Sequence, residues 1–309
     1  MSSKGYKYMS LAGRDFREKT ENQITDEFTS ILKDGVHGMC FSPYLEHQKP
    51  GDKISDKQII DKIKIIKPYT KWIRIFSTTD GNERIAKIAH DFGLKTLVGA
   101  WIGKDHDKNL DEIRSVVDIA KAGYADIVAV GNEVMLREDV SEELLINYID
   151  MVKSQISGVP VGYVDAYYEF GDRPKISEVC DVILANCYPF WEGCSLEHSL
   201  LYMKDMFRRA TKAANGKKVI ISETGWPNIG TKFWGAVPSR ENAVKYFINT
   251  YNWAKEDNIE IFYFSTFDEA WKVEDEGDVG AYWGLWDKNG NHKYALESMI
   301  SEVNSDTRE

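Results

Sequence analysis

Two glutamates in this chain stand where apolar runs break off. Ile127-Val128-Ala129-Val130-Gly131-Asn132 leads to Glu133, and Val219-Ile220-Ile221-Ser222 leads to Glu223. Each run has the β-branched composition of a strand buried on both faces. After Glu223 come Thr224-Gly225-Trp226-Pro227, where glycine and proline stop regular structure. Two carboxyls raised on separate strand ends, each in polar or aromatic company, suit chemistry in which one group gives or takes a proton while the other stays charged.

Such side chains need a frame, and the rest of the chain supplies a regular one. Strand candidates are 38–42, 72–76, 95–100, 127–131, 159–164, 182–186, 219–222 and 259–264. Helical patterns fall between them at 56–67, 81–92, 109–122, 141–156, 175–180, 196–215 and 239–256, with a last one at 293–303. Ser141 and Ser239 read as helix starts, and Gly93, Gly123, Gly158 and Gly216 as helix ends. Eight strands alternating with helices give an α/β fold, a single (β/α)8 barrel spanning 1–309 as one domain. An open doubly wound sheet is the alternative, but the glycine-rich phosphate loop G-x-G-x-x-G does not occur. The residues before Asp34 are expected to form a helix closing the amino-terminal face of the barrel.

Composition narrows the partners. A net charge of −10 spread along 309 residues argues against nucleic acid and anionic membranes. No apolar run reaches membrane-spanning length, so membrane insertion is not expected. Aromatics make up 12% of the chain, with nine Trp and sixteen Tyr, enough for both a core and stacking surfaces for flat ligands. The start, Met1-Ser2-Ser3-Lys4, has no apolar signal core. The expected compartment is the cytoplasm, or the periplasm or exterior if a signal was removed. Cys40, Cys180, Cys187 and Cys194 lack the spacing of a zinc site and read as buried free thiols. Asp287-Lys288-Asn289-Gly290-Asn291 reads as a tight turn rather than a calcium loop. No metal or cofactor is expected, and the chain is expected to be a monomer.

In a (β/α)8 barrel the site gathers at the carboxyl ends of the strands. Those ends here carry Tyr44, Arg74, Trp101, Asn132 with Glu133, Asp165 with Tyr167 and Tyr168, Tyr188 with Phe190 and Trp191, Glu223 with Trp226, and Glu269 with Lys272. Arg74 lies inside an apolar strand and calls for a buried carboxylate partner, for which Glu223 is the candidate.

The segments Val130-Gly131-Asn132-Glu133-Val134 and Ile221-Ser222-Glu223-Thr224-Gly225-Trp226-Pro227 resemble the two signature motifs of glycoside hydrolase family 17, the β-1,3-glucanase family. Phe41-Ser42-Pro43-Tyr44, Arg74-Ile75-Phe76, Val164-Asp165-Ala166, Asn186-Cys187-Tyr188-Pro189-Phe190, Phe267-Asp268-Glu269-Ala270-Trp271-Lys272 and Trp283-Gly284-Leu285-Trp286 extend the resemblance along nearly the whole chain. The resemblance implies that Glu133 is the general acid/base, Glu223 the nucleophile and Asn132 a contact to the sugar 2-hydroxyl. Tyr188 is expected to orient the nucleophile. Tyr44, Arg74, Asp165, Phe190, Trp226, Glu269 and Lys272 complete the expected substrate-binding set.

The implied reaction is retaining and needs no cofactor, with the carboxyls about 5–5.5 Å apart. Glu223 would stay ionised beside Arg74, and Glu133 would be protonated at rest beside that charge. The implied partner is a β-glucan polysaccharide or oligosaccharide, with endo-hydrolysis of β-1,3-glucan as the leading reading. Glucanosyl transfer, exo-action and mixed-linkage cleavage are the alternatives among enzymes, and a non-catalytic glucan-binding barrel is the alternative outside them. Tyr167-Tyr168-Glu169-Phe170 and Phe233-Trp234-Gly235-Ala236 are expected to shape or block sugar subsites.

Overall fold

A computed structural model describes residues 13–294. Eight parallel strands close into a barrel in sequence order: β1 Val36–Cys40, β2 Thr70–Ile75, β3 Lys95–Ala100, β4 Ile127–Asn132, β5 Val161–Ala166, β6 Val182–Asn186, β7 Lys218–Thr224 and β8 Ile261–Tyr263. The ring shuts where Gly38 and Met39 of β1 pair with Phe262 and Tyr263 of β8. Every residue of β4 and β6 is buried, as expected of strands covered on one face by helices and on the other by the barrel interior.

Two strands start two residues later than their sequence patterns, for local reasons. The fifth begins at Val161 instead of Val159, because Pro160 has no N–H to give the ladder; its carbonyl only accepts from Val128. The eighth begins at Ile261, because Asn258 ends the preceding helix at φ 54° and the Ile259 N–H turns back to Ala254 O.

The main helices are α1 Glu21–Lys33, α2 Asp56–Ile66, α3 Ile85–Asp91, α4 His106–Lys121, α5 Glu142–Lys153, α6 Pro174–Val179, α7 Leu196–Ala213 and α8 Arg240–Asp257. Ser141 and Ser239 cap α5 and α8, their hydroxyls accepting from Leu144 N and Asn242 N. Helix α1 lies against α8 and against the turn Lys67–Tyr69 that leads into the amino end of β2. Its buried stripe packs sideways, with the Phe28 ring 4.5 Å from that of Phe247 in α8, so it joins the outer layer. The helix expected at 293–303 lies almost wholly outside the described residues. All four cysteines are free, and Asp287 holds a tight turn by accepting from Asn289 N and Asn291 N.

The ladder is regular at the amino-terminal half of the barrel and irregular at the other. Register shifts fall between Ala129 and Asn132 on β4, between Ala185 and Asn186 on β6, and between Ile221 and Thr224 on β7. Each shift re-aims the side chains that follow it.

Candidate active site

Glu223 emerges from β7 only 6% exposed, and three donors converge on it. Arg74 Nη1 reaches Oε1 at 2.5 Å, Asn186 Nδ2 reaches the same oxygen at 3.0 Å, and the Tyr188 hydroxyl reaches Oε2 at 2.8 Å. A guanidinium and an amide NH2 can only donate here, so Oε1 accepts from both at once. Arg74 is itself 2% exposed, and its second nitrogen donates to Asn132 Oδ1 at 2.7 Å. One cation on β2 thereby ties together the polar ends of β4 and β7. With its oxygen held by Arg74, Asn132 keeps its amide hydrogens for a ligand.

Glu133 is positioned by the bulge at the end of β4. Gly131 adopts φ 89°, where a Cβ would lie 2.7 Å from Val134 Cγ2, and Glu133 follows in a left-handed conformation at φ 51°. Its N–H is secured by Val164 O at 2.8 Å, and its carboxyl accepts from Asn186 Nδ2 at 2.8 Å. Burial first, and the nearby charge of Glu223 second, push this carboxyl up to about 7, while the Asn186 bond pulls the other way. The two glutamates therefore sit in opposite environments.

Asn186 fixes their spacing. Its one amide nitrogen donates to Oε1 of both glutamates, at 2.8 and 3.0 Å, so the two oxygens cannot be farther apart than the sum, about 5.8 Å. Ser222 donates to Asn186 Oδ1 at 2.8 Å and sets which side of the amide faces the carboxyls. The pair opens into a cleft of about 450 Å³, walled by Tyr168, Tyr188, Trp191, Phe264 and Trp283.

The chain is similar to known proteins along most of its length. Residues 38–284 match the family model described as the BtgE/BtgC glycoside hydrolase domain. The chain belongs to glycoside hydrolase family 17. It is 25% identical over 265 residues to a glucan 1,3-beta-glucosidase of Saccharomyces cerevisiae, covering 78% of this chain and 85% of the relative. A Schizosaccharomyces pombe glucan 1,3-beta-glucosidase is 24% identical over 300 residues, covering 90% and 92%. Among solved structures, the family 17 beta-1,3-glucanosyltransferase of Rhizomucor miehei superposes with a TM-score of 0.75 at 28% identity, covering 84% of this chain and 96% of that one. An endo-laminarinase from Formosa shares the fold, with a TM-score of 0.73 at 19% identity and 89% coverage of each chain.

Within this family 17 barrel, several residues expected to touch substrate lie behind the cleft instead. Asp165 is fully buried, with Oδ2 accepting from Met135 N and the Tyr163 hydroxyl and Oδ1 accepting from Ala166 N. It braces the turn that follows Glu133. Phe190 and Trp226 are buried against one another at 5.3 Å, and the indole N–H of Trp226 is spent on Val237 O. They pack beneath the loops of β6 and β7. Tyr44 is half-buried on the β1 loop, its hydroxyl accepting from Asn82. Lys272 lies 4.7 Å over the Phe264 ring and donates to Glu276, which lines the cleft; Glu269 is buried, and burial raises its carboxyl.

Two supporting residues were not foreseen. Asn186 was visible only as part of the sixth-strand motif. Glu112 of α4 is 4% exposed and accepts from Ser77, from Thr78 N and Oγ1, from Thr79 and from Trp101 N. It binds the β2 and β3 loops to one another and so places Trp101, whose ring is covered on one side by the Arg137 guanidinium at 4.5 Å.

Proposed function

We propose that this enzyme cleaves β-1,3-glucan with retention of configuration, with Glu223 as nucleophile and Glu133 as acid/base. The observation that carries this reading is the shared amide of Asn186. The two Oε1 atoms, at most about 5.8 Å apart, suit direct attack, whereas an inverting pair of carboxyls stands roughly 6.5–9.5 Å apart to admit a water. In the first step Glu133, protonated at rest, gives its proton to the glycosidic oxygen while Glu223 attacks the anomeric carbon and the leaving sugar departs as an alcohol. Esterification removes the charge of Glu223, and Glu133, now ionised, takes a proton from the incoming water. Attack of the water oxygen on the anomeric carbon frees Glu223 again. Asn132, its oxygen held by Arg74 and its amide hydrogens left to donate, is assigned to the sugar hydroxyl next to the reacting carbon.

The test is incubation with laminari-oligosaccharides and laminarin, with products sized and the anomer of the first product read by NMR. A β-anomer supports the assignment, and an α-anomer overturns it. Glucanosyl transfer is the second reading, favoured by the 28% identity to the Rhizomucor miehei transferase and by the aromatic walls of the cleft, which offer stacking faces for an acceptor sugar. Products longer than the starting oligosaccharide identify transfer, and only shorter ones identify hydrolysis.

A further inference from the structure

A series of ring contacts leaves the cleft and stops one residue short of an indole in solvent. Trp283 and Trp191, both in the cleft wall, stand 5.6 Å apart, and Trp191 meets Phe233 at 5.9 Å. Next in sequence is Trp234, 84% exposed. Its backbone is far from free. Phe233 and Ala236 exchange N–H···O bonds of 2.9 Å to close a tight turn, and Gly235 N donates to Gly193 O in the β6 loop at 3.0 Å. Trp234 is held at φ 53° within that turn, a conformation that costs a bulky side chain free energy and suits asparagine or glycine. The chain therefore bears two costs at one position, left-handed backbone and a bare indole, with only Cβ and Cγ of the side chain set against Gly193. Strain of this kind at a fixed, exposed position points outward, to a ligand.

We infer that Trp234 is a stacking platform outside the cleft that holds the continuing chain of a polymeric β-1,3-glucan. The inference rests on the reading of the cleft as a β-1,3-glucan site. The choice of occupant follows from continuity: the path from Trp283 through Trp191 and Phe233 starts at the wall of the cavity holding both glutamates. Pyranose rings present apolar C–H faces to aromatic rings, and the way from the cleft wall towards Trp234 is aromatic at each step. The platform is assigned to chains that extend past the cleft, and a trimer serves as the control for the cleft alone.

The ring is removed by Trp234→Asn, which keeps a residue at ease in the left-handed conformation, and is restored in part by Trp234→Tyr. For Trp234→Asn the expected result is turnover of laminaritriose within twofold of the parent and a KM for long laminarin raised about two- to tenfold at unchanged kcat. Retention on insoluble β-1,3-glucan, measured in a Glu223→Gln background so that nothing is cleaved, falls by the same factor and is recovered by Trp234→Tyr. Equal retention with and without the ring overturns the inference, as does a loss on the trimer as large as that on the polymer. So does a parent dimer, seen by sedimentation, that Trp234→Asn dissolves while polymer binding is kept, since the face would then belong to a second copy. If the parent turns over neither laminaritriose nor laminarin, the reading of the cleft fails, and the retention assay still decides the platform separately.

Discussion

Arg74 and Glu223 form an ion pair of 2.5 Å with side chains only 2% and 8% exposed, so neither charge has water to fall back on. Arg74→Met is expected to cost about 3–5 kcal/mol of stability by leaving a buried carboxylate unpaired. Adding Glu223→Gln should return much of it. Thermal melts of the two single variants and the double variant give the coupling directly, and simple additivity would remove this account of the pair.

Replacing Glu133 by Gln should lower kcat/KM on laminarin by roughly 10²–10⁴ and leave the fold intact by circular dichroism. The variant should do better on substrates whose leaving group needs no proton, such as an aryl glucoside with an acidic phenol. A uniform loss on both kinds of substrate would place the acid elsewhere.

With Glu133 pushed up to about 7, kcat/KM should fall along an alkaline limb near that pH, as the acid loses its proton. In Glu223→Gln the neighbouring charge is gone, and the Glu133 carboxyl should titrate lower. Carboxyl NMR titration of the two forms checks the direction.

The same raised carboxyl links stability to pH. Glu133 holds its proton to about 7 when folded and to about 4.5 when unfolded, so the folded state binds the extra proton between these values. Stability is unaffected below 4.5, declines as pH rises through the window, and has lost up to about 3 kcal/mol above it. Glu133→Gln cannot ionise and should gain stability over the parent as pH rises from 5 to 8. A constant difference in melting temperature across that range would contradict the shift.

Asn186→Ala removes a donor that both glutamates share. The bond to Glu133 favours its charged form, so the alkaline limb should move upward in pH, together with a loss of about 10- to 100-fold in kcat. A fall in kcat with an unmoved limb would assign Asn186 to packing alone.

Much of this was legible in the chain. The apolar runs before Glu133 and Glu223 announce their own strand ends, because a buried strand tolerates a carboxyl only where it surfaces. The role of Asn186 was not legible, since it depends on a register shift that sets it beside Glu223 and on an amide orientation set by Ser222. Phe190 and Trp226 show a related limit: an aromatic just past a strand end does not reveal which side of its loop it faces. Asp165 carried a usable signal, because Tyr163 stands two residues earlier on the same face of the strand, in reach of a hydrogen bond. Glu112 also lay on the stripe of Asn109, Ile113 and Val116, where burial was readable from helical spacing.

The three breaks in strand pairing fall on β4, β6 and β7, the staves that hold Asn132 with Glu133, Asn186, and Glu223. Pairing around the hoop thus slips out of step at its working rim, while the pairs nearer the opposite rim keep one register. On warming, the rim should loosen while the hoop still holds, so that catalysis fades several degrees before the molecule melts.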